Sequence, residues 1–226
     1  MPAVITVSGN PSLRPETSIA VDAGYRIEFR RLSFDLSAFR YAYGNLRSLD
    51  LGAPQLQAGQ QPFLVLPGTI ENGNLGTSSG AELATVLELP GGSRLSASYS
   101  GLVTEIHHQP VAGGAALSPG SSETKSYTPQ HQWQADWQAG LPRKVQLNLW
   151  VSHVGLIDSL GPTIQQDVPA YTRVDAQLSH GIWDGGNVQV GVQNLLTPRH
   201  IEFIPEAQAA PSEIPRSFYV RLTWRF

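Results

Sequence analysis

Six histidines, a scatter of carboxylates and seven tyrosines are the groups in this 226-residue chain that could bind or transform something. Imidazole is a common metal ligand, and His107, His108, His131 and His153 invite a metal reading. Such a site needs its ligands on one side of the backbone, and the alternation of the flanking residues separates them. His107, His131 and His153 fall in step with rows of large apolar residues, while His108 falls in step with the polar row. The expected role of the first three is at an interface, and no metal site is assigned. With no cysteine, thiolate metal sites and disulfides are excluded. No nucleophile–base pair, phosphate-cradling loop or paired carboxylates in a defined pocket can be found, so neither an enzyme nor a resident cofactor is expected. A net charge of −3 argues against a general nucleic-acid partner.

The elements that carry these residues are strands. Ile19, Val21, Ala23, Tyr25, Ile27 and Phe29 alternate with Ser18, Ala20, Asp22, Gly24, Arg26 and Glu28, the period of two expected of a two-faced strand. The same pattern predicts strands over 18–29, 32–43, 80–89, 94–103, 132–141, 145–152, 172–179, 188–193 and 218–226, with 69–75 as a possible extension of the third. In the fifth, Trp133, Ala135, Trp137 and Ala139 oppose Gln132, Gln134, Asp136 and Gln138. Glutamines in such a row each need partners in a packed core, whereas a water-filled lumen supplies them. Arg173 and Asp175, and Glu82 and Glu88, extend the polar face on other strands.

Connections alternate in length. They are short after strands one, three, five and seven and long after two, four, six and eight, with long loops near 45–68, 109–128, 156–168 and 197–215. The fold class that follows is all-β, an antiparallel up-and-down meander of about nine long strands with every long loop at one end. Only 15% of residues are charged, yet no apolar run approaches the roughly 18 residues of a membrane helix. A transmembrane β-barrel satisfies both facts, because it hides its hydrophobicity in alternate positions. A soluble β-sandwich binding module is the rival reading, but it would mix loop lengths at both ends. The segment at 1–7 does not read as a signal peptide. Nine is an odd count, so the first strand would start outside the cell and the sheet would be an incomplete barrel.

Five motifs carry a family resemblance. Gly9-Asn-Pro-Ser-Leu-Arg-Pro-Glu16 with the following Asp22-Ala-Gly-Tyr-Arg26 resembles the G-N-P-x-L-x-P-E loop and next strand of TonB-dependent outer-membrane receptors. Glu71-Asn72 leading to Gly80-Ala-Glu-Leu83, Pro169 to Asp175, Val192 to Leu196, and Pro215 to Phe226 match further segments in order. The resemblance implies the C-terminal part of a 22-stranded barrel in the bacterial outer membrane. It implies uptake of a scarce small molecule such as a ferric siderophore, driven through the TonB system and gated by a plug domain. It leaves no counterpart here for the plug, the TonB box or the first thirteen or so strands, so this segment is not expected to transport by itself. Ligand contacts are expected from the long loops at 45–68, 109–128 and 197–215 and from the lumen rim at Tyr41, Tyr43 and His108. Trp224 and Phe226 resemble the terminal aromatic signal read by the barrel-assembly machinery, with Arg221 standing where glycine is usual. Other outer-membrane pores and autotransporter-type barrels fit the strand pattern but not the 9–16 loop.

Overall fold

The computed structural model describes residues 2–59, 61–109, 128–157, 167–203 and 212–225. Every regular element among them is a strand: β1 (Ala3–Ser8), β2 (Thr17–Glu28), β3 (Leu32–Leu51), β4 (Gln55–Gln57), β5 (Phe63–Leu89), β6 (Ser93–His108), β7 (His131–Leu141), β8 (Val145–Val154), β9 (Tyr171–Trp183), β10 (Gly186–Gln193), β11 (Arg199–Ile201), β12 (Glu213–Pro215) and β13 (Ser217–Trp224). One antiparallel sheet runs β13-β10-β9-β8-β7-β6-β5-β3-β2, and its two ends do not meet. These nine are the nine strands expected from the alternation, in meander order.

Tight turns join β2 to β3, β5 to β6, β7 to β8 and β9 to β10. Gly91 (φ 82°), Gly92 (φ 76°) and Gly185 (φ 85°) supply the left-handed backbone two of these need, whereas Arg143 (φ 63°) and Lys144 (φ 57°) adopt it at a third without glycine. Apolar side chains stay in the open on one face: Ile19, Val21, Tyr25, Phe218, Val220 and Leu222 are all exposed. Only Ala139, Ile157 and Val168 are buried apolar residues among those described. A sheet that leaves this much apolar surface uncovered has no packed core in water, which excludes the soluble sandwich.

The strands differ most from expectation above Tyr43. The stretch at 45–68, expected as a loop, is largely strand: β3 continues to Leu51, β4 follows, and β5 starts at Phe63. β5 therefore has 27 residues, about 90 Å at the usual rise per residue, against the roughly 9–11 residues a spanning strand requires. β1, which the alternation did not reveal, runs parallel to β5, pairing Ala3 with Leu64 through Ser8 with Thr69. Two bulges produce the change. Gly44 and Asn45 of β3 stand opposite Leu75, and Asn72 and Gly73 of β5 stand opposite Arg47. The bulges cancel in register, but each reverses the parity of its own strand. Hence Tyr43 shares a face with Leu46 and Ser48, and Gly76 shares that face with Glu71 and Thr69. Beyond the bulges β3, β4, β5 and β1 form a small extension that rises past the ends of the neighbouring strands.

The 9–16 loop crosses this level and is tied to it. Asn10 Nδ2 donates to Glu71 at 2.7 Å, and the Arg14 backbone N–H donates to Asn72 Oδ1 at 2.7 Å. Asn72 Nδ2 returns bonds to the carbonyls of Arg14 at 3.1 Å and Asn45 at 2.6 Å. Glu16 accepts from the Arg47 backbone N–H at 3.0 Å and from its guanidinium at 3.3 Å. That backbone bond, reinforced by the guanidinium, holds the Glu16 carboxyl below its ordinary range.

Candidate lumen wall and outer rim

Polar side chains of β3, β5, β6, β7 and β8 share the face opposite the apolar stripe. Asp35, Ser37, Glu82, Ser100, Gln134 and Ser152 line a hollow of about 570 Å³ on it. A second hollow of about 590 Å³ lies alongside, bounded by Asp136, Arg173, Asp175, Gln193 and Tyr219 among others. The charged residues toward the tight-turn end pair with one another, Arg26 with Glu28 at 3.0 Å and Arg94 with Glu88 at 3.6 Å. This is a wetted wall.

Tyr41 and Tyr43 stand on that wall together with Phe39. Phe39 and Tyr41 stack with centroids 5.2 Å apart, and Tyr43 meets Tyr41 edge-on at 6.4 Å. The ladder exists because β5 offers it Gly76, Ser78 and Gly80 in register. A Cβ on Gly80 would lie 2.6 Å from Phe39 Cζ and 2.4 Å from the Gly101 carbonyl oxygen. The Tyr41 hydroxyl donates to Asp22 at 2.7 Å. His108 lies on the same face, opposite Asn74, one step farther out than the Gly76–Tyr43 pair. Its Nδ1 lies 2.8 Å from Asn74 Oδ1, and its Nε2 lies 3.5 Å from Asp50. Asn74 Nδ2 donates to the Arg47 carbonyl at 2.9 Å, which fixes the amide so that its oxygen meets the imidazole. Tyr41, Tyr43 and His108 are thus brought to one wall, with His108 held by β3 and β5.

His131 and His153 lie on the apolar face. The Tyr99 hydroxyl is 2.7 Å from His131 Nδ1, and His153 stacks on Trp133 with centroids 5.7 Å apart. They form an aromatic row across β6, β7 and β8, as interface side chains do. At the opposite end Trp224 crosses Trp183 at 6.2 Å, and Trp224 is 64% exposed. Phe226, the other half of the expected terminal pair, lies outside the described residues, as does most of the 109–128 loop.

A second rim network takes up Arg173 and Asp175, which alternation had set on the polar face, and adds Asn194, His200 and Glu202, of which alternation gave no sign. Arg173 holds Asp175 through two nitrogens at 2.8–3.1 Å, and Asp175 also accepts the Asn194 backbone N–H at 2.9 Å. Asn194 is fully buried at φ 57°, a backbone that asparagine tolerates. Its Nδ2 donates to the Ile214 carbonyl at 3.1 Å, and its own carbonyl accepts from Arg216 at 3.3 Å. Glu202, 3.6 Å from Arg173 and 2.9 Å from His200, fastens the β11–β12 hairpin to β9. Three of the motif segments noted above converge here, which the motifs themselves do not announce.

A long open sheet with one lipid-seeking face, one wet face, tight turns at one end and the long connections at the other is a length of wall from a transmembrane β-barrel. The chain belongs to the family described as TonB dependent receptor-like, beta-barrel, whose model matches residues 2–195. Its fold is that of solved receptors at low identity. The ferric-catecholate import receptor Fiu of E. coli K12 superposes with a TM-score of 0.69 at 15% identity, covering 96% of this chain and 29% of that one. The ferric enterobactin receptor PfeA of Pseudomonas aeruginosa gives 0.69 at 21% identity, with 97% and 32% covered. The siderophore receptor PirA of Acinetobacter baumannii gives 0.70 at 15%, with 97% and 33% covered. The chain spans about a third of the length of these receptors. A search of curated proteins finds no match.

Proposed function

We propose that this chain forms lumen wall and outer rim of a receptor that takes up a ferric siderophore or a similarly scarce nutrient, coupled to TonB and gated by a plug domain. Family membership over residues 2–195 carries the reading. The wet wall with its hollows of about 570 and 590 Å³ supports it, since a lumen must hold hydrated cargo. Fiu is named a ferric-catecholate import receptor, PfeA a ferric enterobactin receptor and PirA a siderophore receptor, and another fold neighbour is a copper transporter. Tyr41, Tyr43 and His108 are the proposed ligand-facing groups, because the aromatic ladder offers stacking on this wall and His108, fixed by Asn74, stands at its outer end. The family's outer-membrane location gives the apolar face its solvent, and Trp224 with Phe226 is proposed as the signal for the barrel-assembly machinery. This segment supplies wall and loops and does not transport alone.

The test joins the plug and preceding strands of a siderophore receptor to this chain and follows growth on iron bound to siderophores in a strain lacking its own receptors. Growth that requires TonB and falls when Tyr41 and Tyr43 are both replaced by alanine supports the proposal. TonB-independent growth, or import by liposomes carrying this chain alone, contradicts it.

A further inference from the structure

Arg40 sets a fixed charge on the apolar face. It follows Leu32, Phe34, Leu36 and Ala38 on the outward side of β3, in register with Val21 of β2 and Ser79 of β5. Val21 and Leu36 are 65% and 49% exposed, and Arg40 is exposed with them. A guanidinium keeps its charge, and Arg40 forms no hydrogen bond or ion pair with any described residue. An unpaired charge is costly in hydrocarbon, so its height on the wall decides what it meets.

Leu32 to Arg40, Leu141 back to Trp133 and Val145 to His153 are each nine residues, counted from the tight-turn ends of β3, β7 and β8. A spanning strand needs roughly 9–11 residues, so these three side chains reach the level where hydrocarbon gives way to headgroups. Trp133 is a side chain suited to that boundary. His131, two residues above Trp133, is fastened through Nδ1 to the Tyr99 hydroxyl at 2.7 Å, and His153 through Nδ1 to the Thr172 hydroxyl at 2.9 Å. Nε2 of both rings has no partner among the described residues. A hydroxyl that donates to Nδ1 leaves the ring proton on Nε2, where it can be given to an anion. Ala38, Ala81 and Gly101 stand in register with His131, and their small size leaves a furrow on the inner side of Arg40.

We infer that this level of the outward face binds the phosphate groups of membrane lipids. Arg40 pairs with one headgroup phosphate, and Nε2 of His131 and of His153 donate to a second, three strand spacings or roughly 15 Å away. An acyl chain lies in the furrow between them. The guanidinium fork matches two phosphate oxygens at once, and the apolar surround selects a phosphate that arrives on a lipid over one free in water. The inference rests on the outward face meeting lipid and not on any cargo, so failed import would leave it standing.

The full chain in neutral detergent micelles is titrated with dioleoyl phosphatidylglycerol and with dioleoylglycerol, which has the same chains and no phosphate, and bound lipid is counted by native mass spectrometry. The phospholipid is expected to bind at least about tenfold more tightly. Arg40→Gln should remove most of that preference at unchanged strand content, and Arg40→Lys should keep part of it. Adding His131→Gln and His153→Gln to Arg40→Gln should bring the two lipids level, whereas Arg26→Gln, on the wet face, should change nothing. Equal binding of the two lipids, a preference undiminished by Arg40→Gln, an equal loss in Arg26→Gln, or displacement of the phospholipid by millimolar inorganic phosphate overturns the inference. If the variants do not fold, the lipid comparison and the phosphate competition on the parent chain decide alone.

Discussion

Asn72 is the single side chain on which the outer geometry turns. It bonds the backbone of Arg14 in both directions and the carbonyl of Asn45, so one amide ties the 9–16 loop to both bulged strands. Asn72→Ala should lower stability by about 2 kcal/mol, the net worth of several exposed hydrogen bonds, read by urea unfolding in micelles. Asn72→Asp keeps the acceptor but sets a carboxylate oxygen against the carbonyls of Arg14 and Asn45, and should lose at least as much. Glu16 gives the same junction a pH dependence. Its carboxyl lies below the ordinary range in the folded chain, so its contribution is present above the unfolded value and is lost as acid protonates it. The 9–16 loop should become sensitive to protease below about pH 4, and Glu16→Gln should be sensitive already at neutral pH; equal cleavage of both at pH 7 would refute the assignment. The sequence displays Asn10, Glu71 and Asn72 as separate motif residues. Their bonding is invisible there, because 61 positions separate Asn10 from Glu71 and the bulges between strands leave no periodic trace.

Strands were legible wherever parity holds unbroken. From Thr17 to Tyr43, and in β6 to β10 and β13, one residue in two is apolar and the strand assignments follow from that alone. Parity reverses at Asn45 in β3 and near Gly73 in β5, so a period-two reading stops there and sees a Gly- and Pro-rich loop. β1 escaped for another reason, since it is six residues long and pairs in parallel at a distance of some sixty positions. Close approach sets the ladder on β3. Gly80→Val would drive a side chain into Phe39 and the Gly101 carbonyl, and the β3–β5–β6 pairing should lose about 3 kcal/mol or more, measured as a fall in the temperature at which the chain loses its compact mobility on cold gels. At the rim, Asp175→Ala removes the acceptor shared by Arg173 and Asn194. Limited proteolysis should then cut near Leu195 and Leu196, sites expected to resist in the parent chain; unchanged resistance would mean that this rim is held without Asp175, through Glu202 and the bonds of Asn194 to Ile214 and Arg216.

Among the described residues the sheet is a wall whose end strands, β2 and β13, pair on one side each, with an outer surface of exposed Val, Leu, Ile and Trp. Backbone groups left unpaired in hydrocarbon are costly, so a complete barrel pairs both ends with further strands. The wall's two-sidedness was fully readable from the sequence, whereas the cargo was not. Cargo choice, in the function proposed above, rests on the loops and on how Tyr41, Tyr43 and His108 face what fills the lumen, and neither follows from alternation. The central claim is that one face meets lipid and the other water, and the absence of native cysteine makes it directly measurable. Single cysteines placed in turn at 132–138 in the outer membrane of intact cells would be challenged with a charged maleimide and a lipid-borne quencher. Cysteines replacing Gln132, Gln134 and Asp136 should react with the charged reagent, and those replacing Trp133, Ala135 and Trp137 should be quenched from lipid. Uniform labelling along β7, with no period of two, would contradict the account.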